Sequence, residues 1–354
     1  MNVLSAIRLI VTLIIQLLKK FLDWLEQFQQ QKSNGKVVAF IDLLGFKNYV
    51  TKGDPTFAYM LLNDFHSQII TRMSDSSLPK AIIKGANAKV IRFLEEANGI
   101  DSFEEFHPFS DSVFLASTDP DRFVLQLSTL LVDSFMLTAD AFDREIGPDQ
   151  ITRLQVRYPV IDAEGKVRIE EETEVRYPIL LRGGVVFDDA KVAHIPGLTL
   201  GKPMKNATLV GPGVIKAYGI EQLHIKGPRI ICDENFARQV NRREAKILLN
   251  PTSNKNYFDM LWPAAQYFDA GPEADVQAKT RELFRRASNL WKAFSHLEFG
   301  IHYYNFLKLV TISTRKYFKG THFEGVIDTT LNEEIVKNSL TLYKADLMQL
   351  MFNL

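Results

Sequence analysis

Cysteine is almost missing from the chain: Cys232 stands alone among 354 residues. No intramolecular disulfide can form, which fits a reducing compartment such as the cytoplasm. A surplus of charge is missing too. Lys and Arg total 42, as do Asp and Glu. Nothing in that balance suggests a general nucleic-acid binder, and any phosphate-handling site would have to be a local patch. The seven histidines show no metal-ligand spacing. No Ser/His/Asp or Cys/His arrangement for nucleophilic catalysis is visible, and there is no internal repeat or low-complexity tract. What is present is ordinary globular material. At 46% hydrophobic and 24% charged, the chain can bury a core in one large domain or two.

The longest apolar run, Val3 to Leu18, is interrupted by Arg8 and falls short of the roughly 20 residues that cross a bilayer. Lys19 and Lys20 follow it rather than precede it. That order argues against a cleaved signal peptide, and it would keep the rest of the chain cytoplasmic if the segment spans. Leu4, Ile7, Val11, Ile14, Leu18, Phe21, Leu25 and Phe28 also step by three and four, a heptad seam. Three readings of residues 1–35 therefore stand. They are membrane insertion or surface attachment through residues 1–20, a helix that pairs two subunits, and docking on the chain's own core. Asn34-Gly35 ends the segment as a linker.

From residue 37 the pattern is mixed. Val37 to Leu43 predicts a buried strand, and Phe57 to Met73 has helical spacing behind an Asp54-Pro55 turn. Glu105 to Phe109 and Val113 to Ser117 predict a hairpin around "FSDS". Asp119-Pro120 opens a helix that runs to Phe142. Residues 153–178 alternate about Ala163-Glu164-Gly165 and predict an inserted β-hairpin arm. Ile179 to Phe187 is a core strand, Gly211 to Gln222 a helix, and Pro228 to Cys232 a further strand. The first elements fit a split βαββαβ core, an α+β sheet with helices on one face. Residues 236–354 are mostly helical and predict an accessory layer, so the expected divisions are 1–35, 36–235 and 236–354.

One residue in the first strand breaks the apolar rule. Asp42 lies among Ile41, Leu43 and Leu44, where an unpaired buried charge is costly. Either a cation meets it or the strand ends in water. Asp111, in the "FSDSV" hairpin, is its candidate companion, because paired strands can bring two distant acids together. Two adjacent carboxylates repel unless a cation lies between them. Mg²⁺ or Mn²⁺ supplies such a cation and prefers oxygen ligands. Arg182 precedes Gly183-Gly184 on another apolar strand. It reads either as a phosphate or subunit-interface contact or as half of a structural ion pair. Gly45 permits a turn close to phosphate, Phe46 would anchor that turn in the core, and Tyr49 follows near the mouth of the proposed site. Phe40 is a candidate substrate contact, although both Phe40 and Phe109 also read as core.

In this order, "FIDLLGF", "FSDSV", "LLRGGVV" and "GPGVIKAYGIEQL…GPRIIC" resemble the class III nucleotide cyclases. They resemble more closely the bacterial pyrimidine cyclases of the Pycsar antiphage system, over roughly residues 36–235. The resemblance implies a ferredoxin-like βαββαβ cyclase core and a head-to-tail homodimer with shared sites. It implies two metal ions, Mn²⁺ or Mg²⁺, held by Asp42, the Leu43 carbonyl and Asp111. It also implies that Tyr49 narrows the base pocket, so a pyrimidine nucleoside triphosphate fits and a purine clashes. UTP is favoured slightly over CTP, and the cyclic product would signal infection to an effector. There is a departure from the purine enzymes. The asparagine and arginine on their helix after the glycine turn correspond here to Ile215 and Gly219. Ala217, Tyr218 and Glu221 form an "AY…E" pattern instead, as in the pyrimidine cyclases. Lys47, Arg182, Lys216 and Arg229 are then the candidate cations for the transition state. Two rivals remain. One is a degenerate, non-catalytic nucleotide-binding dimer. The other is a different two-metal palm enzyme such as a diguanylate cyclase, against which the missing "GGDEF"-like turn argues.

Overall fold

Strand β1 (Lys36–Leu43) is apolar at nearly every position, and it is buried on both faces. Successive side chains on a strand point to opposite faces. Val37, Ala39, Ile41 and Leu43 enter one core, while Val38 and Phe40 enter a second, smaller one. The computed structural model describes residues 35–47, 50, 59, 61–67, 69, 102–143, 152–161, 167–176, 178–199, 202–223, 225–296, 298, 300–338 and 346–347. The readings made for residues 1–34 and for Tyr49 lie outside the described residues. No described helix is long and apolar enough to cross a membrane.

β1 pairs antiparallel with β3 (Ser112–Ser117) on one side and with β6 (Leu181–Asp188) on the other. β2 (Glu105–Phe109) closes the hairpin with β3. The order β6-β1-β3-β2 is that of a βαββαβ sheet. The sheet continues past β6 through β9 (Ile230–Asp233), β11 (Tyr257–Met260) and β10 (Leu249–Pro251) to seven strands. β9 runs parallel to β6, and β11 antiparallel to β9.

Helix α1 (Pro120–Thr138) starts as its sequence signal demands: the Asp119 carboxylate accepts the Arg122 N–H at 3.0 Å, and Pro120 occupies the first turn. It ends earlier than expected, and a 3-10 helix at Asp140–Asp143 completes the stretch. Thr138 Oγ1 accepts the Ile179 N–H at 2.8 Å and ties the end of α1 to the entry of β6.

Helices were expected on one face of the sheet, yet both faces are covered. The larger core lies against α1. The smaller holds Val38, Phe40, Ala116, Val186 and Ile231 beneath α2 (Pro212–Glu221), which contributes Ala217 and Ile220. Gly184 allows that seat, because a Cβ there would stand 2.2 Å from the Ala217 carbonyl oxygen.

The sheet and core also run through position 235 without a break, and Lys36–Leu354 is one compact unit. After β9 come α3 (Glu234–Gln239), α4 (Arg243–Lys246), a 3-10 helix at Trp262–Tyr267, α5 (Glu273–Phe294), α6 (Gly300–Phe318) and α7 (Glu324–Lys337). Trp262 stacks on Phe306 at 5.4 Å, and Phe306 meets Phe135 of α1 edge-on at 4.7 Å. The C-terminal helices therefore help build the main core.

The expected arm is present as β4 (Thr152–Ile161) paired with β5 (Val167–Arg176). A second two-stranded sheet, β7 (Lys191–Thr199) with β8 (Lys202–Val210), was not read from the sequence. Pro196 and Pro203 interrupt both runs, and proline argues against a central strand. A two-stranded ribbon has only edges, so it tolerates them.

Candidate functional site

The cation that meets Asp42 is Arg182. In the sheet register Asp42 stands opposite Ser112 of β3 and opposite Arg182 of β6. Residues directly opposite across paired strands share a face, so the three side chains form one polar row, next in line after Val38 and Phe40. The Ser112 hydroxyl donates to Asp42 Oδ1 at 2.8 Å. Arg182 donates to Oδ2 through Nε at 3.2 Å and Nη2 at 3.1 Å. The last residue of α2, Glu221, closes the row from above: its Oε1 lies 2.8 Å from Arg182 Nη2. Its side chain is only 2% exposed, against 27% for Arg182 and 15% for Asp42.

Asp111 sits in the two-residue turn between β2 and β3, beside Ser110 with φ 56°. Its carbonyl accepts the Leu43 N–H at 3.0 Å, which fastens the end of β1 to the tip of the hairpin. Its carboxylate is close enough to act on Asp42. Burial raises the Asp42 carboxyl above the ordinary carboxylate range. Asp111 and Glu221 push the same way, while the Ser112 hydroxyl and Arg182 offset part of the rise. Among the described residues, the charges that act on Asp42 are two further carboxylates and one guanidinium.

The remaining candidates fall into place around this row. Leu43 buries its side chain in the larger core. The Leu44 N–H donates to the Leu180 carbonyl at 2.8 Å, and Gly45 turns the chain with φ 86°, a left-handed conformation natural to glycine. Phe46 is half-buried against the larger core, as an anchor for the turn would be. Phe40 is a packing residue in the structure. It is 5% exposed, tilted on Phe114 at 4.8 Å and edge-on to Tyr218 at 5.2 Å. Phe109 reverses its core reading: it is 70% exposed at the hairpin tip, on edge strand β2.

Two of the candidate cations are engaged elsewhere. Lys216 pairs with Asp188, and Arg229 reaches Asp259 Oδ2 through Nε at 2.8 Å. On α2, Ala217 and Glu221 face inward, whereas Ile215 is 74% exposed and no described atom lies within 4 Å of a Cβ at Gly219. The positions that depart from the purine pattern are thus on the outer side of the helix.

Ser112 carries a part of the site that sequence reasoning did not single out, and His302 lies near enough to Arg182 to feel its charge. Ser112 could have been found from register, as the residue opposite Asp42. His302 of α6 accepts the Gly227 N–H on Nδ1 at 3.0 Å. Its ring is held below the usual imidazole range by burial and by nearby Lys226 and Arg182.

Among the described residues, no group of three or more His, Cys, Asp or Glu side chains is arranged to hold a metal ion. The donors available are two carboxylates, Asp42 and Asp111, with backbone carbonyls beside them. That set is oxygen-only, and it matches hard divalent ions such as Mg²⁺ that rest on one or two carboxylates and complete their shell with substrate phosphate. The excess negative charge around Asp42 points the same way.

No protein-family model matches the chain, and no curated protein matches it. Among solved structures, it is similar to adenylate cyclases from Trypanosoma brucei determined in their monomeric state. One shares 9% identity over 64% of this chain and 87% of its own, with a TM-score of 0.36. Another shares 11% identity over 64% and 88%, also with a TM-score of 0.36.

Proposed function

We propose that the chain is a metal-dependent nucleotide cyclase that converts a pyrimidine nucleoside triphosphate, UTP ahead of CTP, to its 3′,5′-cyclic monophosphate and pyrophosphate. The observation that carries this reading is the meeting of Asp42 and Asp111. They lie far apart in the sequence, yet the end of β1 is bonded to the hairpin turn at Leu43 and Asp111. The motif resemblance adds the reaction and the pyrimidine preference.

In this reaction the ribose 3′-oxygen bonds to the α-phosphorus, the bond from that phosphorus to the bridging oxygen breaks, and pyrophosphate leaves. Mg²⁺ or Mn²⁺ held by Asp42, the Leu43 carbonyl and Asp111 would lower the pKa of the attacking hydroxyl and neutralise the triphosphate. The chain's own residues orient these parts. Ser112 fixes Asp42 Oδ1, the Asp111 carbonyl fixes the end of β1, and Gly45 lets the backbone turn close to phosphate. Tyr49 would restrict the base. Exposed Ile215 and Tyr218, three residues apart on the outer side of α2, offer apolar surface to a second subunit, in line with a homodimer that shares its sites. Signalling in antiphage defence, and attachment of residues 1–20 to a membrane, complete the reading.

The test is incubation of purified protein with Mn²⁺ and each of the four nucleoside triphosphates, with cyclic products identified by mass spectrometry. A cyclic pyrimidine nucleotide that disappears in Asp42→Ala is the expected result, and Tyr49→Ala should admit ATP or GTP. A cyclic purine as the main product would refute the base assignment. Absence of turnover with all four would favour the second reading, a non-catalytic nucleotide-binding dimer. One observation supports that rival: the Arg182 fork already occupies Oδ2 of Asp42.

A further inference from the structure

Arg182 stands between two acids that hold it unequally. Asp42 Oδ2 receives two of its N–H groups at 3.2 and 3.1 Å. Glu221 Oε1 lies closer, at 2.8 Å, yet the approach is off-axis and that buried oxygen has no hydrogen-bond partner among the described residues. The other oxygen, Oε2, is satisfied by Gln222 Nε2 at 2.5 Å. A buried carboxylate oxygen without a hydrogen bond is expensive, and a small rotation of the guanidinium toward Glu221 would satisfy it.

We infer that Arg182 is an internal counterion that a divalent cation displaces from Asp42, with the buried Glu221 as the seat that keeps the released guanidinium in place. The inference rests on the reading of Asp42 as a cation ligand. It gives Arg182 a positioning role distinct from phosphate binding: the guanidinium competes for Asp42, and cation binding and arginine release are one linked event. Glu221 makes the exchange cheap, because the arginine leaves one carboxylate without leaving the row. A site of this kind binds cation weakly until the arginine moves, since affinity falls with the fraction of molecules in the competent arrangement.

The experiment is direct Mn²⁺ binding to the full chain without nucleotide, read by the electron paramagnetic resonance signal of free Mn²⁺. Arg182→Gln removes the competitor, and binding should tighten about tenfold, the equivalent of one lost charge-assisted contact. Arg182→Lys keeps the charge and loses the planar fork, so it should tighten binding by a smaller factor, about threefold on the same scale. Because Arg182→Gln leaves Glu221 unpaired, folding of each variant is followed by circular dichroism, and Arg182→Lys carries the test if Arg182→Gln unfolds. Tightening in Arg182→Gln with none in Arg182→Lys would show a charge effect alone and overturn the exchange. Wild-type affinity or weaker binding in both variants would overturn it as well. Asp42→Asn separates the two levels of the argument. If it abolishes binding while the arginine variants change nothing, only the exchange fails. If Mn²⁺ binds as before without the Asp42 charge, or binds none of the proteins, the cation reading of the site fails with it.

Discussion

Gly184→Ala is the substitution that most sharply tests how the site is assembled. A Cβ at position 184 would lie 2.2 Å from the Ala217 carbonyl oxygen and 2.7 Å from Ile220 Cβ, where ordinary contact begins at 3.4 Å. One of the obstructing atoms is helix backbone, so the overlap cannot be relieved by rotating a side chain. Helix α2 would have to lift by about 1 Å, and a gap of that size forfeits a quarter to a half of each van der Waals contact beneath it. Overpacking of this sort costs about 1–3 kcal/mol, and the upper end applies where backbone must move. Gly219→Ala, on the same helix, is the internal control. No described atom lies within 4 Å of its Cβ, so the added methyl should stabilise the helix by about 0.5–1 kcal/mol. Guanidinium unfolding followed by tryptophan fluorescence measures both. The midpoint should fall for Gly184→Ala and rise for Gly219→Ala. The lifted helix also carries Glu221, so Gly184→Ala should loosen the row that holds Arg182 and Asp42. Equal midpoints for Gly184→Ala and wild type would mean that α2 does not sit on β6 as described.

Asp42→Asn should leave the protein as stable as wild type or more so at pH 7, while abolishing nucleotide turnover. A raised carboxyl pKa means the folded state binds the proton more tightly than the unfolded chain, so the ionised acid opposes folding above that pKa and the opposition fades as pH falls through it. A large drop in melting temperature at pH 7 would make Asp42 a structural acid instead. Cys232 is fully buried, and burial pushes its thiol well above the usual range. A thiol reagent should therefore label it only at the rate of unfolding, and fast labelling of native protein would contradict its place in the core. Tyr267, buried with its hydroxyl 3.0 Å from Thr314 Oγ1, is pushed up to about 12. Its contribution to stability is complete below the unfolded tyrosine value near pH 10 and is lost as pH rises through about 12, worth at most about 3 kcal/mol. Tyr267→Phe should flatten the alkaline limb of a stability profile between those values, and an unchanged limb would assign it to other groups. Trp262→Ala should cost about 3–5 kcal/mol, because Trp262 is 1% exposed and links Phe306 to the Pro228 carbonyl. A mild effect would mean that the C-terminal helices do not share the main core.

Much of this was legible because it depends on local chemistry. The apolar run ending in Asp42 reads as a doubly buried strand with an acid in need of a partner. "FSDS" reads as a hairpin, and Asp119-Pro120 as a helix start. Both members of the central ion pair were also visible, each as a charge in an apolar strand. Their union was not. It depends on strand register between positions 140 residues apart, and no property of either strand specifies which other strand lies beside it. Phe109 was misread for a related reason. Alternation says which residues share a face, but only the sheet order reveals that β2 is an edge strand. The ribbon of β7 and β8 was hidden by its prolines. β10 and β11, three and four residues long, are too short to show a period at all. The covering of the second sheet face turns on a single glycine, whose missing Cβ has meaning only once α2 is known to lie over it.

The charges around Asp42 are hard to explain as a device for stability. A fold that needed only to close β6, β1 and β3 would gain from apolar residues at positions 42, 112 and 182, since replacing a buried ion pair by packed hydrophobic groups is often neutral or favourable. Here the chain instead places a carboxylate whose own protonation is favoured by burial, sets a second carboxylate at the adjoining turn, and balances both with one arginine that a third, buried carboxylate also claims. Such an arrangement costs folding energy, and it remains poorly neutralised when every described contact is made. A perturbed acid with further carboxylates gathered around it at one end of a sheet is a candidate functional site. The polarity of the deficit is what the proposed cation would answer: it would bring positive charge to oxygen ligands and tolerate an arginine at its side.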